Sequence, residues 1–320
     1  GVVVTDGFRH ASLSHVDRDL SGPKLAQRFG ETFREYRLRD PEPPAVQAPA
    51  GLAAGDPLPG RQLAEQAEAL LERVQATRAT FTEADLRRAA FYQKDSDALV
   101  REALNLEHTV EIGQEVGGAI RYSTQGYLEA EVELFDSSDR LAAHRDLRLE
   151  EAAVARTIDR SAPHLSAEQR EAVFHATADN DLAQIVGRAG AGKTMVARTI
   201  ADAYREQGYE VRGAALAGKA AEGLEQEAGI PSRTLASLER AWAERRDRLD
   251  DRTVLVIDEA GMIDTRQLAR ILKEVDHSRA KVVLLGDPDQ LKAIGAGDAY
   301  RGLLERHASA RLETVRRQAE

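Results

Sequence analysis

The residues Gly187-Arg188-Ala189-Gly190-Ala191-Gly192-Lys193-Thr194 fill the pattern GxxxxGK(S/T). An apolar run, LAQIV, leads into them, and a helix is predicted to follow from Thr194 to Arg205. Glycines in such a loop let backbone N–H groups turn inward on phosphates, and the partial positive charge of the helix N-terminus adds to their pull. Phosphate contact through this backbone is expected from Gly187 as far as Met195. Lys193 would reach the outer phosphates of ATP, and the Thr194 hydroxyl would ligate Mg²⁺. Further on, the run TVLVI ends in Asp258 and Glu259. Two adjacent carboxylates at a strand end can divide the labour of hydrolysis: Asp258 holds Mg²⁺ through water, while Glu259 polarises the attacking water as general base. The bland alternative is a surface acidic pair that caps the next helix. A third run ends in GDPDQL, where the Gln290 amide can donate to a phosphate oxygen and accept from a water. GDPDQ is also a good tight turn, because Asp-Pro initiates turns.

These groups need a scaffold that brings strand ends together. From Ser166 onward, helices alternate with the apolar runs DLAQIV, YEVRGAAL, TVLVIDE and AKVVLLGD, which predicts an α/β fold with a mostly parallel sheet and helices on both faces. Ligands of such sheets sit at the carboxyl ends of the strands. Upstream, Leu63, Ala67, Leu70, Leu71 and Val74 recur at helical spacing and predict an amphipathic helix over 61–78. Thr82 ahead of Glu83 and Asp85 reads as an N-cap. A short helix through Ala90, a second from Asp97 to Leu104, and the strands TVEIG and AIRYS across a Gly117-Gly118 turn should follow. Helix, helix, hairpin is the order of a winged helix, which often binds DNA, and also of many structural modules. Residues 124–160 read as further acidic and Arg-rich helices.

Six of the ten prolines fall between Pro41 and Pro59, where helix is blocked and little apolar surface is available. The expected organisation is an interdomain remnant over 1–45, a Pro-rich linker over 41–60, a small mostly helical domain over 61–160, and an α/β domain over 161–320. The opening Gly1-Val2-Val3-Val4 lacks an initiator Met and reads as the start of a piece of a longer chain.

Bulk properties narrow the field. The 320 residues are 42% hydrophobic and 31% charged, and no run approaches the ~20 apolar residues of a membrane span. A soluble cytoplasmic protein without membrane insertion is expected. Zero cysteines exclude a disulfide framework and a thiolate metal site or nucleophile. A net charge of -10 means that any nucleic-acid contact must come from a local groove.

GRAGAGKT, then DEAG, then GDPDQL with GAGDA, resembles the first motor domain of superfamily 1 helicases of the RecD type. LSAEQREAV, AALAGKAAEGL, PSRTLASLE and LETVRRQ resemble the helicase half of the TraA and MobA/MobL relaxases of conjugative plasmids. The likeness is strong over 161–320 and less specific over 61–150, where TFTEADLRRAAFYQ carries it. It implies a RecA-like P-loop NTPase fold and an ATP-dependent motor on single-stranded DNA with 5′ to 3′ polarity. It also implies a second motor domain in the parent chain and further conjugation proteins as partners, while Gln290, in the third such motif in order, reads as the sensor of the γ-phosphate.

Residue by residue, the resemblance makes Gln169 the adenine-reading glutamine, although Ser166 to Gln169 is equally a capping box. Gly218 to Ala221 match the first single-strand contact motif, with Gly218 and Lys219 as the contacts, although the commoner Pro-Thr is replaced by Leu216 and Ala217. Thr234 matches the next contact motif, or is a helix cap before Leu235. Arg316 or Arg317 would be the arginine finger, with a helix-end charge pair as the alternative. Nicking by relaxases needs a Tyr and a metal held by a His cluster, and the eight histidines, His10, His15, His108 and His144 among them, form no HxH pair. Nicking chemistry is therefore not expected from these residues. A RecD-like repair subunit and an ATP-switched DNA-binding module are the rival readings.

Overall fold

A computed structural model describes residues 60–114, 118–178, 180–188, 190–288 and 295–313. The remnant and linker over 1–59, together with Gly117, Ala189, Gln290, Arg316 and Arg317, lie outside the described residues. Two compact units are found: one contains 60–131 with 295–297, the other 132–288 with 298–313.

The first unit begins with helix α1 (Gly60–Gln75), whose Ala67, Leu70, Leu71 and Val74 are buried as the periodicity predicts. It ends three residues earlier than the expected 78, where the Gln75 amide turns to the Ala79 carbonyl (3.3 Å) and the Ser123 hydroxyl (3.1 Å). Strand β1 (Phe81–Thr82) leads into α2 (Glu83–Ala90), and Thr82 and Asp85 form a reciprocal capping box. Helix α3 (Ser96–Asn105) and strands β2 (Thr109–Gln114) and β3 (Ile120–Thr124) complete the unit. The expected helix, helix, hairpin order is present, with β1 added to make an antiparallel sheet in the order β1-β3-β2. Phe81, Leu86, Leu99 and Val100 join the α1 stripe in one core.

Helix α4 (Gln125–Ala143) contains the division between the units. Helices α5 (Glu151–Ser161) and α6 (Ala167–Thr177) precede strand β4 (Leu182–Gly187). Then come α7 (Lys193–Glu206), β5 (Glu210–Ala215), α8 (Gly218–Ala228), β6 (Ser232–Thr234) and α9 (Leu235–Ala243). Strand β7 (Thr253–Asp258), α10 (Thr265–Ser278), β8 (Lys281–Gly286), α11 (Ala299–Arg306) and β9 (Ala310–Leu312) finish the unit. Among the described residues the strands form a six-stranded sheet, β6-β5-β7-β8-β4-β9, paired in parallel throughout.

The central strands are buried from both sides, which is why they read as continuous apolar runs instead of alternating ones. Ala183, Ile185, Val254, Val256, Val283 and Leu285 face a core shared with Val154 and Ile158 of α5, Val173 of α6 and Val196 and Ile200 of α7. The opposite side chains, such as Leu255, Ile257, Val282 and Leu284, are equally buried. On that second face Gln184 donates to the Leu303 carbonyl of α11 (3.2 Å). Helix α5, grouped by the sequence pattern with the preceding segment, thus belongs to the core of the parallel sheet. Ile158 is fully buried there, so Ile158→Ala should destabilise the α/β unit by about 2–5 kcal/mol, read as a lower urea midpoint. A change within ~0.5 kcal/mol would show that α5 is not packed in this core.

Candidate nucleotide-binding site

Parallel register sets the site. Val186 pairs with Gly286, Gly187 with Leu312, and Ala215 with both Asp258 and Thr234. The carboxyl ends of all six strands therefore lie along one edge, and the phosphate loop, the Asp258-Glu259 pair and the segment of Gly218 and Lys219 each stand at one of them. At the end of β4 the chain turns through Gly190 (φ 80°) and Gly192 (φ 84°) into α7, placing the first N–H groups of that helix at the loop.

The Lys193 ammonium folds back over the loop, donating to the Gly187 carbonyl at 2.6 Å and to that of Arg188 at 3.3 Å. A side chain spanning the loop in this way stands where it can exchange carbonyl partners for phosphate oxygens. Thr194 is the next residue of α7 and is partly buried. The capping box at Ser166 is present, and Gln169 does more than cap: its amide also donates to the Ala191 carbonyl at 3.1 Å. Of the two readings of Gln169, capping box and adenine contact, the structure shows the cap and adds a bond from it to the loop.

Asp258 ends β7, and its Oδ1 accepts from the Glu259 N–H at 2.8 Å. Burial raises the Asp258 carboxyl above its ordinary range, against the lowering effects of that N–H and of the Lys193 charge. Glu259 is also raised, by burial and then by the Asp258 charge, with Lys193 again opposing. Lys193, Asp258 and Glu259 therefore share one electrostatic environment. Glu259 has φ 55°, a left-handed conformation that non-glycine residues seldom adopt and that tends to mark functional positions. The site residues fit Mg²⁺: a hydroxyl at Thr194 and a partly buried carboxylate at Asp258 are hard oxygen donors, and a cation would favour the charged form that burial opposes.

Gly218 and Lys219 are exposed at the start of α8, just beyond β5. Thr234 caps α9, accepting from the Ser237 N–H at 3.3 Å. Gln290 and the two arginines of the VRRQ segment lie outside the described residues. Glu313, just before that segment, donates its N–H to the Glu168 carboxylate at 3.0 Å, which ties the end of β9 to α6.

Tyr300 went unnoticed in the sequence. Fully buried, it donates its hydroxyl to the Ile185 carbonyl of β4 at 3.2 Å. A Cβ on Gly286 would lie 2.8 Å from its ring, so only glycine lets the ring sit against the end of β8. The aromatic that follows GAGDA was the available signal, and nothing local marks it as a partner of β4.

A phosphate-loop helix entered from a parallel strand, with Asp258 one strand beyond its neighbour, defines a P-loop NTPase of RecA-like fold. Residues 164–320 match the AAA domain family. Over 271 residues, 81% of this chain, it is 37% identical to "Conjugal transfer protein TraA" of Rhizobium radiobacter, and it is 35% identical to a probable TraA of Sinorhizobium fredii. Over 156 residues it is 30% identical to "ATP-dependent RecD2 DNA helicase" of Deinococcus radiodurans, covering 48% of this chain and 22% of that one. Over most of its length the chain is thus similar to TraA conjugal transfer proteins, and over about half of it to a RecD2 helicase, as the sequence motifs lead one to expect. It spans about a quarter (24%) of the length of the TraA proteins it matches. No helix among the described residues is long and apolar enough to cross a membrane.

Gly192 supplies a direct test of the site. A Cβ there would meet the Gln169 amide nitrogen at 2.3 Å, on a backbone with φ 84°. The left-handed conformation alone costs a non-glycine residue ~1–2 kcal/mol. Gly192→Ala should weaken binding of a fluorescent ATP analogue by about tenfold or more. Gln169→Ala in the same chain removes the clash but neither the backbone strain nor the loss of the glutamine itself, so binding should stay below that of the wild type. Unchanged affinity in Gly192→Ala would place the nucleotide elsewhere.

Proposed function

We propose that this chain contains the first motor domain of an ATP-driven, single-strand DNA translocase that serves conjugative DNA transfer, moving 5′ to 3′. The observation that carries the proposal is the convergence of Lys193, Asp258 and Glu259 at the carboxyl edge of the sheet, next to a helix N-terminus. The likeness to the TraA and RecD2 proteins supports the DNA substrate.

In this reading the backbone from Gly187 to Met195 and the Lys193 ammonium hold the β- and γ-phosphates, and Gln169 reads the adenine edge. Thr194 and Asp258 would hold Mg²⁺, which would supply charge neutralisation at the outer phosphates. Glu259 accepts a proton from the attacking water, Gln290 senses the γ-phosphate, and Arg316 or Arg317 neutralises charge on the transferring group. Gly218, Lys219 and Thr234 contact the single strand from the far side of the same edge, so that loss of phosphate changes the grip on DNA. A second motor domain supplies the opposing surface.

The experiment is an ATPase assay with and without single-stranded DNA. Lys193→Ala should lower turnover by roughly 10²-fold or more. Glu259→Gln should lower phosphate release by about 10²–10⁴-fold while ATP binding persists. Phosphate release at the wild-type rate in Glu259→Gln would instead favour a module that nucleotide merely switches. No stimulation by single-stranded DNA would remove the motor reading.

A further inference from the structure

The opposite edge of the parallel sheet carries a second group of ligating side chains. His144 and Asp146 lie in the stretch between α4 and α5, and Asp181 stands immediately before β4. One ligand atom from each of the three lies within 4.8 Å of the others. Asp181 is 1% exposed and is held firmly in place. Its N–H donates to the Leu141 carbonyl at 2.9 Å, its carbonyl accepts from Val282 at 2.8 Å, and its Oδ1 accepts from the Leu147 N–H at 3.3 Å. Its other oxygen, Oδ2, is buried without a hydrogen-bond partner, and so is Nδ1 of His144.

Two buried atoms with free lone pairs in one three-residue cluster are costly, even with the Leu147 and Asp146 N–H groups and the Lys281 charge acting on the Asp181 carboxylate. A buried polar atom deprived of its partner costs ~1–3 kcal/mol, more when it is charged. A cation bridging them removes that cost. One imidazole and two carboxylates form a mixed nitrogen and oxygen set, which suits zinc or a neighbouring divalent transition metal better than magnesium or calcium, with a fourth position left for water. Asp146 has the further support usual for a ligand carboxylate: its Oδ2 accepts from Arg279 at 2.7 Å, leaving Oδ1 for a metal. The second cation nearby, Lys281, is fully buried and directs its ammonium to the Ala178 and Asn180 carbonyls, close to the Tyr204 ring.

We propose that His144, Asp146 and Asp181 bind a divalent transition-metal ion, zinc in the first instance, which fastens the stretch between α4 and α5 to the start of β4. The ion is structural and distinct from the Mg²⁺ of the nucleotide site, which lies at the other ends of the same strands.

The test is a calorimetric titration of the chelator-treated, nucleotide-free protein with Zn²⁺ alone, together with Co²⁺ absorption in the visible range. One equivalent of Zn²⁺ should bind, raise the melting temperature, and displace a Co²⁺ spectrum of low-symmetry nitrogen and oxygen coordination. Asp146 is exposed, so Asp146→Asn tests the site without disturbing the core. It and His144→Ala should each weaken Zn²⁺ binding by at least about tenfold. Asp258→Asn should leave the titration unchanged, because its carboxylate belongs to the other edge. Failure of the wild-type protein to bind Zn²⁺ saturably would overturn the proposal. So would Zn²⁺ binding that survives both His144→Ala and Asp146→Asn, or that is lost in Asp258→Asn.

Discussion

Everything at the nucleotide edge depends on one constraint: hydrogen-bonded parallel strands must end level with one another. The ladder that pairs Val186 with Gly286 and Ala215 with Asp258 places a phosphate loop and a carboxylate pair side by side without any direct bond between their strands. Strand β8 stands between β4 and β7 as a spacer. Slipping a central strand by one residue would exchange the side chains that meet the two helix layers and spoil the packing of both. The geometry of the site is thus protected by the energetics of the core.

Within that frame the charges of the site restrain one another. Lys193 is tethered to loop carbonyls and acts electrostatically on both Asp258 and Glu259. Burial pushes the two acids toward neutrality while the ammonium pulls them back. Phosphates would draw Lys193 from its carbonyl partners, and a divalent cation would then take over the task of keeping Asp258 ionised. In the loop the Lys193 ammonium is held by carbonyls that phosphate oxygens can replace as its acceptors.

The legible parts of this structure are those whose chemistry is local. Lys193, Asp258 and the four long strands could be read from glycine spacing, apolar runs and the residue at the end of each run. Thr82, Ser166 and Thr234 were legible as helix caps because a cap needs only its own next three residues. Strands β6 and β9 were not, since three residues with no periodicity acquire strand geometry only from the neighbour that they pair with. Tyr300 and the bond from Gln169 to the loop were missed for the same reason: both join segments distant in sequence. The grouping of α5 with the segment before it did not match its packing, because an acidic and Arg-rich helix does not reveal which core it covers.

The position of β4 has a consequence for the order in which the protein is made. Both strands that flank it, β8 and β9, come later in the chain. As the polypeptide leaves the ribosome, the phosphate loop emerges early but has no sheet to stand on, while β5, β7 and β8 can pair as soon as they appear. Closing the large loop back to β4 is the entropically expensive step. ATP therefore cannot serve as an early folding aid for this domain; the loop becomes competent to hold it only after nearly all of the domain has been synthesised.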